Sequence, residues 1–220
     1  MRVLLGVVLC ASFLIAQQPA QLPDMPAIAA ALGVQCDYCH VRGPGAVPSN
    51  PSKISIAKQM IAMTRDLNAT VQTATTKAAG AAAKVECITC HRGVPIPKQL
   101  GDVLVETTLK QGSAAAIEQY RDLRSRFYGK QAYDFSEQTL IALSQRLANA
   151  RPDDAIAMAK LNVEFFPASS ASYAALAFAY TRKVDDASAI AAYEKAVELD
   201  PNNGVVRGAL EQLKSYQRRR

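Results

Sequence analysis

Cys36-Asp37-Tyr38-Cys39-His40 and Cys87-Ile88-Thr89-Cys90-His91 repeat one pattern, a pair of thiols three residues apart with a histidine directly after the second. This is the pattern of covalent c-type haem attachment: the thiols bond the porphyrin edge, and the histidine reaches the iron from the proximal side. The two copies use four of the five cysteines and both histidines of the 220-residue chain, so coincidence is a poor account of them. A four-cysteine zinc site needs two such pairs brought together. Here forty-seven residues separate Cys39 from Cys87, well beyond a zinc-ribbon gap, and zinc gives no reason for a histidine after each pair. A thioredoxin-like dithiol belongs beside a strand-helix-strand pattern, and neither copy has one. Two covalently bound haem c groups are the expectation.

Upstream of the motifs, Met1-Arg2 is followed by the apolar run 3–16 and by Gln17-Gln18-Pro19-Ala20. This reads as a secretory signal over 1–20, cleaved near Ala16 or Ala20. Fourteen apolar residues are short for a bilayer span; an uncleaved membrane anchor and lipidation at Cys10 are the alternatives. Periplasmic or secreted localisation agrees with thioether attachment, which in bacteria takes place outside the cytoplasm. With Cys10 lost in the signal, every remaining cysteine belongs to a haem motif, and haem takes the stapling role that disulfides have in many small exported domains.

The net charge of +6 is unevenly placed: residues 21–100 hold eight Lys/Arg against four Asp/Glu, whereas 101–220 hold sixteen against fifteen. The basic surplus belongs to the haem part, where propionates offset much of it. Nucleic acid is not indicated, and Arg218-Arg219-Arg220 reads as a solvated end.

The chain divides into two halves. Residues 21–100 alternate short helical stretches with Pro/Gly-rich loops, such as Arg42-Gly43-Pro44-Gly45 through Pro48-Ser49-Asn50-Pro51. Segment 70–84, rich in Ala and Thr, reads as a helical tail running into a loop. The rest is nearly all helix and carries a repeat of about 34 residues. Tyr173, Leu176, Ala177 and Tyr180, then Ala189, Tyr193 and Ala196, then Pro201, fall at tetratricopeptide spacings. One period earlier stand Leu140, Leu143, Ser144 and Leu147, then Ala155, Ala159, Asn162 and Pro167. Two such units span 136–202, and a terminal helix over 205–217 covers the exposed end. The connecting segment 101–135 holds one helix, 113–127, with Ser113 as its N-cap. A plain helical bundle is the alternative to the repeat. Two repeats are fewer than such stacks need alone, so the preceding helix, the haem half or a partner must cover the remaining apolar face.

Each iron wants an axial ligand on both faces. His40 and His91 supply the proximal ones, and there is no third histidine. Methionine is the natural distal ligand. Met1 leaves with the signal and Met158 lies in the repeats, which leaves Met25, Met60 and Met63. Met25 begins a helix over 26–32, eleven residues before Cys36. A second helix over 54–67 sets Ile56, Met60, Met63 and Leu67 on one stripe by their three- and four-residue spacing, and either of its methionines could face iron.

Met25-Pro26-Ala27-Ile28 leading into Gly33-Val34-Gln35-Cys36-Asp37-Tyr38-Cys39-His40, then the run from Ala57 through Met60-Ile61-Ala62-Met63-Thr64-Arg65-Asp66-Leu67-Asn68, then Val85-Glu86-Cys87-Ile88-Thr89-Cys90-His91-Arg92-Gly93, resemble a dihaem half of a known subunit. That subunit is the tetrahaem cytochrome of photosynthetic reaction centres, and the resemblance covers residues 21–97. It implies a repeating helix, turn and haem-binding segment, with Met25 as sixth ligand to the first haem and Met60, rather than Met63, to the second. There are departures. The family places a histidine for another haem shortly after the Thr-Arg-x-x-Asn segment, where this chain reads Ala69-Thr70-Val71-Gln72-Thr73-Ala74. Only one haem pair is present, and tetratricopeptide-like repeats replace the rest. Photosynthetic donation therefore does not carry over, whereas the cytochrome fold and electron transfer do.

The expected protein is all-α: a dihaem cytochrome c domain plus C-terminal helical hairpins. It passes single electrons between redox partners and docks through its repeats onto a redox protein or a membrane electron-transfer complex. The alternatives are a peroxidase-like haem enzyme with one open iron, and a repeat scaffold whose haems are structural.

Overall fold

A computed structural model describes residues 24–40, 51–79 and 83–219, the side chains of 75–79 excepted. The expected signal, Cys10 and the stretch 42–50 lie outside the described residues. Among the described residues there are ten α-helices, one 3-10 turn and no strand.

In the haem half, α1 (Met25–Leu32) starts on Asp24, whose carboxylate accepts the Ala27 N–H at 3.1 Å, with Pro26 preset in its first turn. It stops at Gly33, whose φ of +66° is the left-handed conformation glycine adopts without strain. After the 3-10 turn Cys36–Tyr38 come the long α2 (Pro51–Ala79), which begins earlier and runs further than 54–67, and the short α3 (Cys87–His91). Between residues 24 and 98, only Ala31 and Val94 among the described side chains are buried.

The polypeptide core lies instead in the second half. Here α4 (Leu100–Gln111) and α5 (Ser113–Phe127) form a hairpin, followed by α6 (Glu137–Leu147), α7 (Pro152–Phe165), α8 (Ser170–Arg182), α9 (Asp186–Leu199) and α10 (Gly204–Gln217). The connecting segment thus holds two helices where the sequence suggests one. Gly101 and the β-branched Val103, Val105, Thr107 and Thr108 lower the intrinsic helix propensity of α4, but Leu100 and Leu104 are driven into the core and tertiary burial prevails. The N-cap of α5 is Gly112, at φ +88°, and Ser113 is its first helical residue.

Leu104, Tyr120, Leu140, Leu143 and Met158 are fully enclosed, and Tyr120 meets Phe135 edge-on at 5.7 Å and Phe165 at 5.3 Å. Helices α6/α7 and α8/α9 pair through small residues, since Ala155, Ala159, Ala177, Ala189 and Ala196 are wholly buried. The Ser144 hydroxyl donates to the Ala155 carbonyl at 2.9 Å, and the Asn162 amide donates to Ser172 Oγ at 2.9 Å, stitching α6 to α7 and α7 to α8. Hairpin order, small-residue seams and the closing α10 are compatible with two tetratricopeptide-like units. The hairpin α4/α5 covers the near end of this stack, packing on α6 and α7.

Candidate haem-binding site

Each Cys-x-x-Cys-His stretch folds as a single helical turn. In the first, the Cys36 carbonyl accepts from both Cys39 N–H (3.3 Å) and His40 N–H (3.0 Å). The second is the helix α3 itself, started by the Thr89 hydroxyl, which accepts the Glu86 N–H at 3.0 Å. One turn puts residues three and four apart on the same side, so the two thiols and the histidine of each motif share a face. All four thiols are free, with Cys36 and Cys90 exposed and Cys39 and Cys87 half-buried. Among the described residues no three Cys, His, Asp or Glu side chains converge as metal ligands, so the thiol pairs are not gathered into one zinc centre.

His91 Nδ1 lies 3.0 Å from the buried Val94 carbonyl. A carbonyl only accepts, so Nδ1 carries the proton and Nε2 keeps its lone pair for a metal. This is the usual way a ligating histidine is fixed in tautomer and orientation. Arg92, at φ +50°, and Gly93, at φ +89°, bend the chain back so that Val94 reaches His91.

Three contacts that sequence reasoning missed hold the motifs in place. Asn68 on α2 donates to the Val85 carbonyl at 2.7 Å and accepts the Val85 N–H at 2.8 Å, fixing the backbone two residues before Cys87. Gly93 N–H donates to the Ala31 carbonyl at 2.8 Å, and a Cβ on Gly33 would lie 2.2 Å from Gly93 O, so α1 is fastened backbone to backbone onto the loop after the second motif. Lys53 donates to the Tyr38 carbonyl at 3.2 Å, and its ammonium sits 3.4 Å from the centre of the Tyr38 ring, tying α2 to the first motif. Asn68, Gly33 and Gly93 stand within the family-like blocks, but nothing in their spacing shows what they touch.

Met25 lies at the start of α1 and is 50 % exposed. The stripe of Ile56, Met60, Met63 and Leu67 on α2 is not the face that the polypeptide itself covers. The covered face is Ile54, Ala57, Ile61, Thr64 and Asn68, while Ile56, Met63 and Leu67 are exposed and Met60 is half-buried. At 100° per residue the two stripes lie about 110° apart. The reason is Asn68: its paired hydrogen bonds to Val85 turn its own face toward the second motif. That face and α1 enclose a groove of about 440 Å³ lined by Ile28, Ala31, Ile61, Thr64, Val85 and Cys87.

Residues 22–146, more than half of the chain, match the family described as the photosynthetic reaction centre cytochrome c subunit. The chain belongs to this family. No curated protein matches the sequence. Membership in the reaction centre cytochrome family makes haem c the cofactor class and electron transfer, rather than catalysis, the broad role. The match extends beyond residue 97, through α4, α5 and nearly all of α6.

The residues present fit that cofactor. Paired free thiols stand beside a histidine whose Nε2 is available, and the haem half leaves the large apolar side chains Ile56, Met63, Leu67, Ile88 and Ile96 exposed. Such a surface is what an iron porphyrin covers.

Proposed function

We propose that the chain is an exported dihaem c-type cytochrome that passes single electrons between redox proteins and docks through its helical repeats. The observation that carries the reading is the His91–Val94 hydrogen bond, because it prepares one imidazole as a metal ligand within a two-thiol turn. Cys36, Cys39, Cys87 and Cys90 form the thioethers, with His40 and His91 proximal. When bound, each haem supplies a one-electron Fe(III)/Fe(II) couple.

The protein's own part is to bind, orient and shield. Asn68, Gly33 and Lys53 fix the two turns, so the ligating histidines need little movement on reduction or oxidation. Met25 serves the first haem and Met60 the second; Met60 is half-buried beside the packed face of α2, whereas Met63 stands further out, 41 % exposed. Methionine as the second protein ligand beside histidine would raise the potential and would leave the iron no open position for added ligands. The signal-like leader supports export. No described helix is long and apolar enough to cross a bilayer.

Haemochrome absorbance and intact mass of the exported protein test the stoichiometry, with two haems per chain expected. Neither cyanide nor carbon monoxide should bind readily to the native protein. Met60→Ala should admit them at one haem and Met63→Ala should not; the opposite result reassigns the ligand to Met63. Ready binding to the native protein would sink the closed, electron-transfer reading at that iron. Docking is read by hydrogen exchange with added redox complexes: protection on α8–α10 is expected, and protection confined to the haem half would place docking there instead.

A further inference from the structure

A groove of about 1060 Å³ runs where the haem half meets α5. One wall is Tyr38 of the first motif with the segment 92–96 that follows the second, and the other is the end of α5 with Lys130 and Tyr133. Neither thiol pair nor either histidine lines it, so it is not where the haems attach. Its lining joins two chemistries. The floor is apolar, with Val94, Leu123 and Phe127, and Ile96 stands at it 68 % exposed. The charged side chains are Arg92, Arg126 and Lys130, drawn from both walls, and no aspartate or glutamate is found among the described lining residues. Arg126 pairs with Asp122 on its own helix at 3.0 Å. Arg92 instead donates to the Thr89 and Gln131 carbonyls, at 3.2 and 3.5 Å, and so ties the second motif to the α5–α6 loop. The Lys130 ammonium faces the Phe127 ring at 5.7 Å, with no carboxylate in salt-bridge reach among the described residues.

We propose that this groove docks an acidic, partly apolar segment of a redox partner protein. The inference rests on the proposed electron-transfer role, and it adds to the repeats a second contact at the haem half. An apolar floor with a charged rim is the anatomy of a protein interface, and a rim of one sign selects its partner by complementarity. A bilayer fits less well, because the cations line a recess between two walls rather than a flat face. The position also suits electron passage. Tyr38 is two residues from His40, and the Val94 carbonyl is the one that holds His91. A partner seated here lies against the backbone beside both proximal histidines.

The test titrates the full-length holoprotein, at low ionic strength, with a short fluorescent peptide of alternating glutamate and leucine and with its glutamine counterpart. The glutamate peptide should bind, protect 92–96 and 123–133 from hydrogen exchange, and be released by added salt. Lys130→Glu should weaken it roughly fivefold, the size expected when one exposed ion pair becomes a repulsion. Lys58→Glu, on an exposed position of α2 outside the groove, is the control and should weaken it less. The inference is overturned if the glutamine peptide binds equally, or if Lys130→Glu acts no more than the control. Failure of the glutamate peptide to bind also overturns it; vesicles of anionic phospholipid that bind instead, and are released by Lys130→Glu, would make the groove a membrane contact. If the peptide behaves as expected while carbon monoxide binds readily to the native haems, the groove stands and the electron-transfer reading fails.

Discussion

Asn68 does for Val85 what a neighbouring strand would do, offering one donor and one acceptor to a single backbone unit. Removing both partners leaves two half-buried backbone groups to find water, at a cost of about 1–3 kcal/mol. Asn68→Ala should therefore lower the stability of the haem half by that amount in a denaturant melt followed in the Soret band, and Asn68→Asp should recover only the accepted bond. An unchanged Soret melt in Asn68→Ala would deny the clamp. The two glycines make a second, paired case. Gly33 and Gly93 both have positive φ, but a Cβ on Gly33 meets the Gly93 backbone whereas one on Gly93 meets nothing within 4 Å. Gly93→Ala should cost only the left-handed strain, about 1–2 kcal/mol, and Gly33→Ala distinctly more, by the same melt. Equal costs would show that the backbone contact relaxes freely. The thiols and histidines were legible because their chemistry demands fixed spacing. These supporting residues were not, since a side-chain-to-backbone bond leaves no periodicity in the sequence.

At the level of elements, the α8–α9 turn carries an unexpected residue. Val184 sits at φ +63° and is 66 % exposed, a left-handed β-branched residue with little packing to justify it. Val184→Asn should relieve about 1 kcal/mol, raising Tm by roughly 2–4 °C for a unit of this size, as read by far-UV circular dichroism; a lower Tm would mean that the valine packs better than its exposure implies. On α4, Glu106 lies between Lys98 and Lys110, and these two cations depress its carboxyl to about 2. A depressed carboxyl adds stability that is present above its ordinary value of 4.5 and lost as the pH falls toward 2. Glu106→Gln should therefore flatten the acid limb of the stability profile below about pH 4.5 without changing its neutral plateau much, because the triad is solvent-exposed. Added salt should mimic the substitution; a salt-independent acid limb would point to other carboxylates. The hairpins α6/α7 and α8/α9 were legible from the recurrence of their small residues and prolines. Helix α4 was not, because its valines and threonines argue locally against the helix that packing imposes.

Across the whole molecule the two halves are held by different means. The second half buries Leu, Ala and Tyr in one continuous core, which periodicity foretells well. Among the described residues the first places few side chains out of solvent, and the α2 face that Asn68 turns toward the second motif is a different one from the stripe of its methionines. The backbone junction of Gly33 with Gly93, sixty positions apart, closes a loop that holds both haem motifs and the chain between them. Closure entropy grows only slowly with contour, about 0.6 kcal/mol for each doubling. Evolution is thus free to lengthen or shorten the span between the motifs while the junction survives. Among relatives, insertions and deletions should gather inside that loop and avoid the four residues from His91 to Val94, where one added residue would unseat the histidine from its carbonyl.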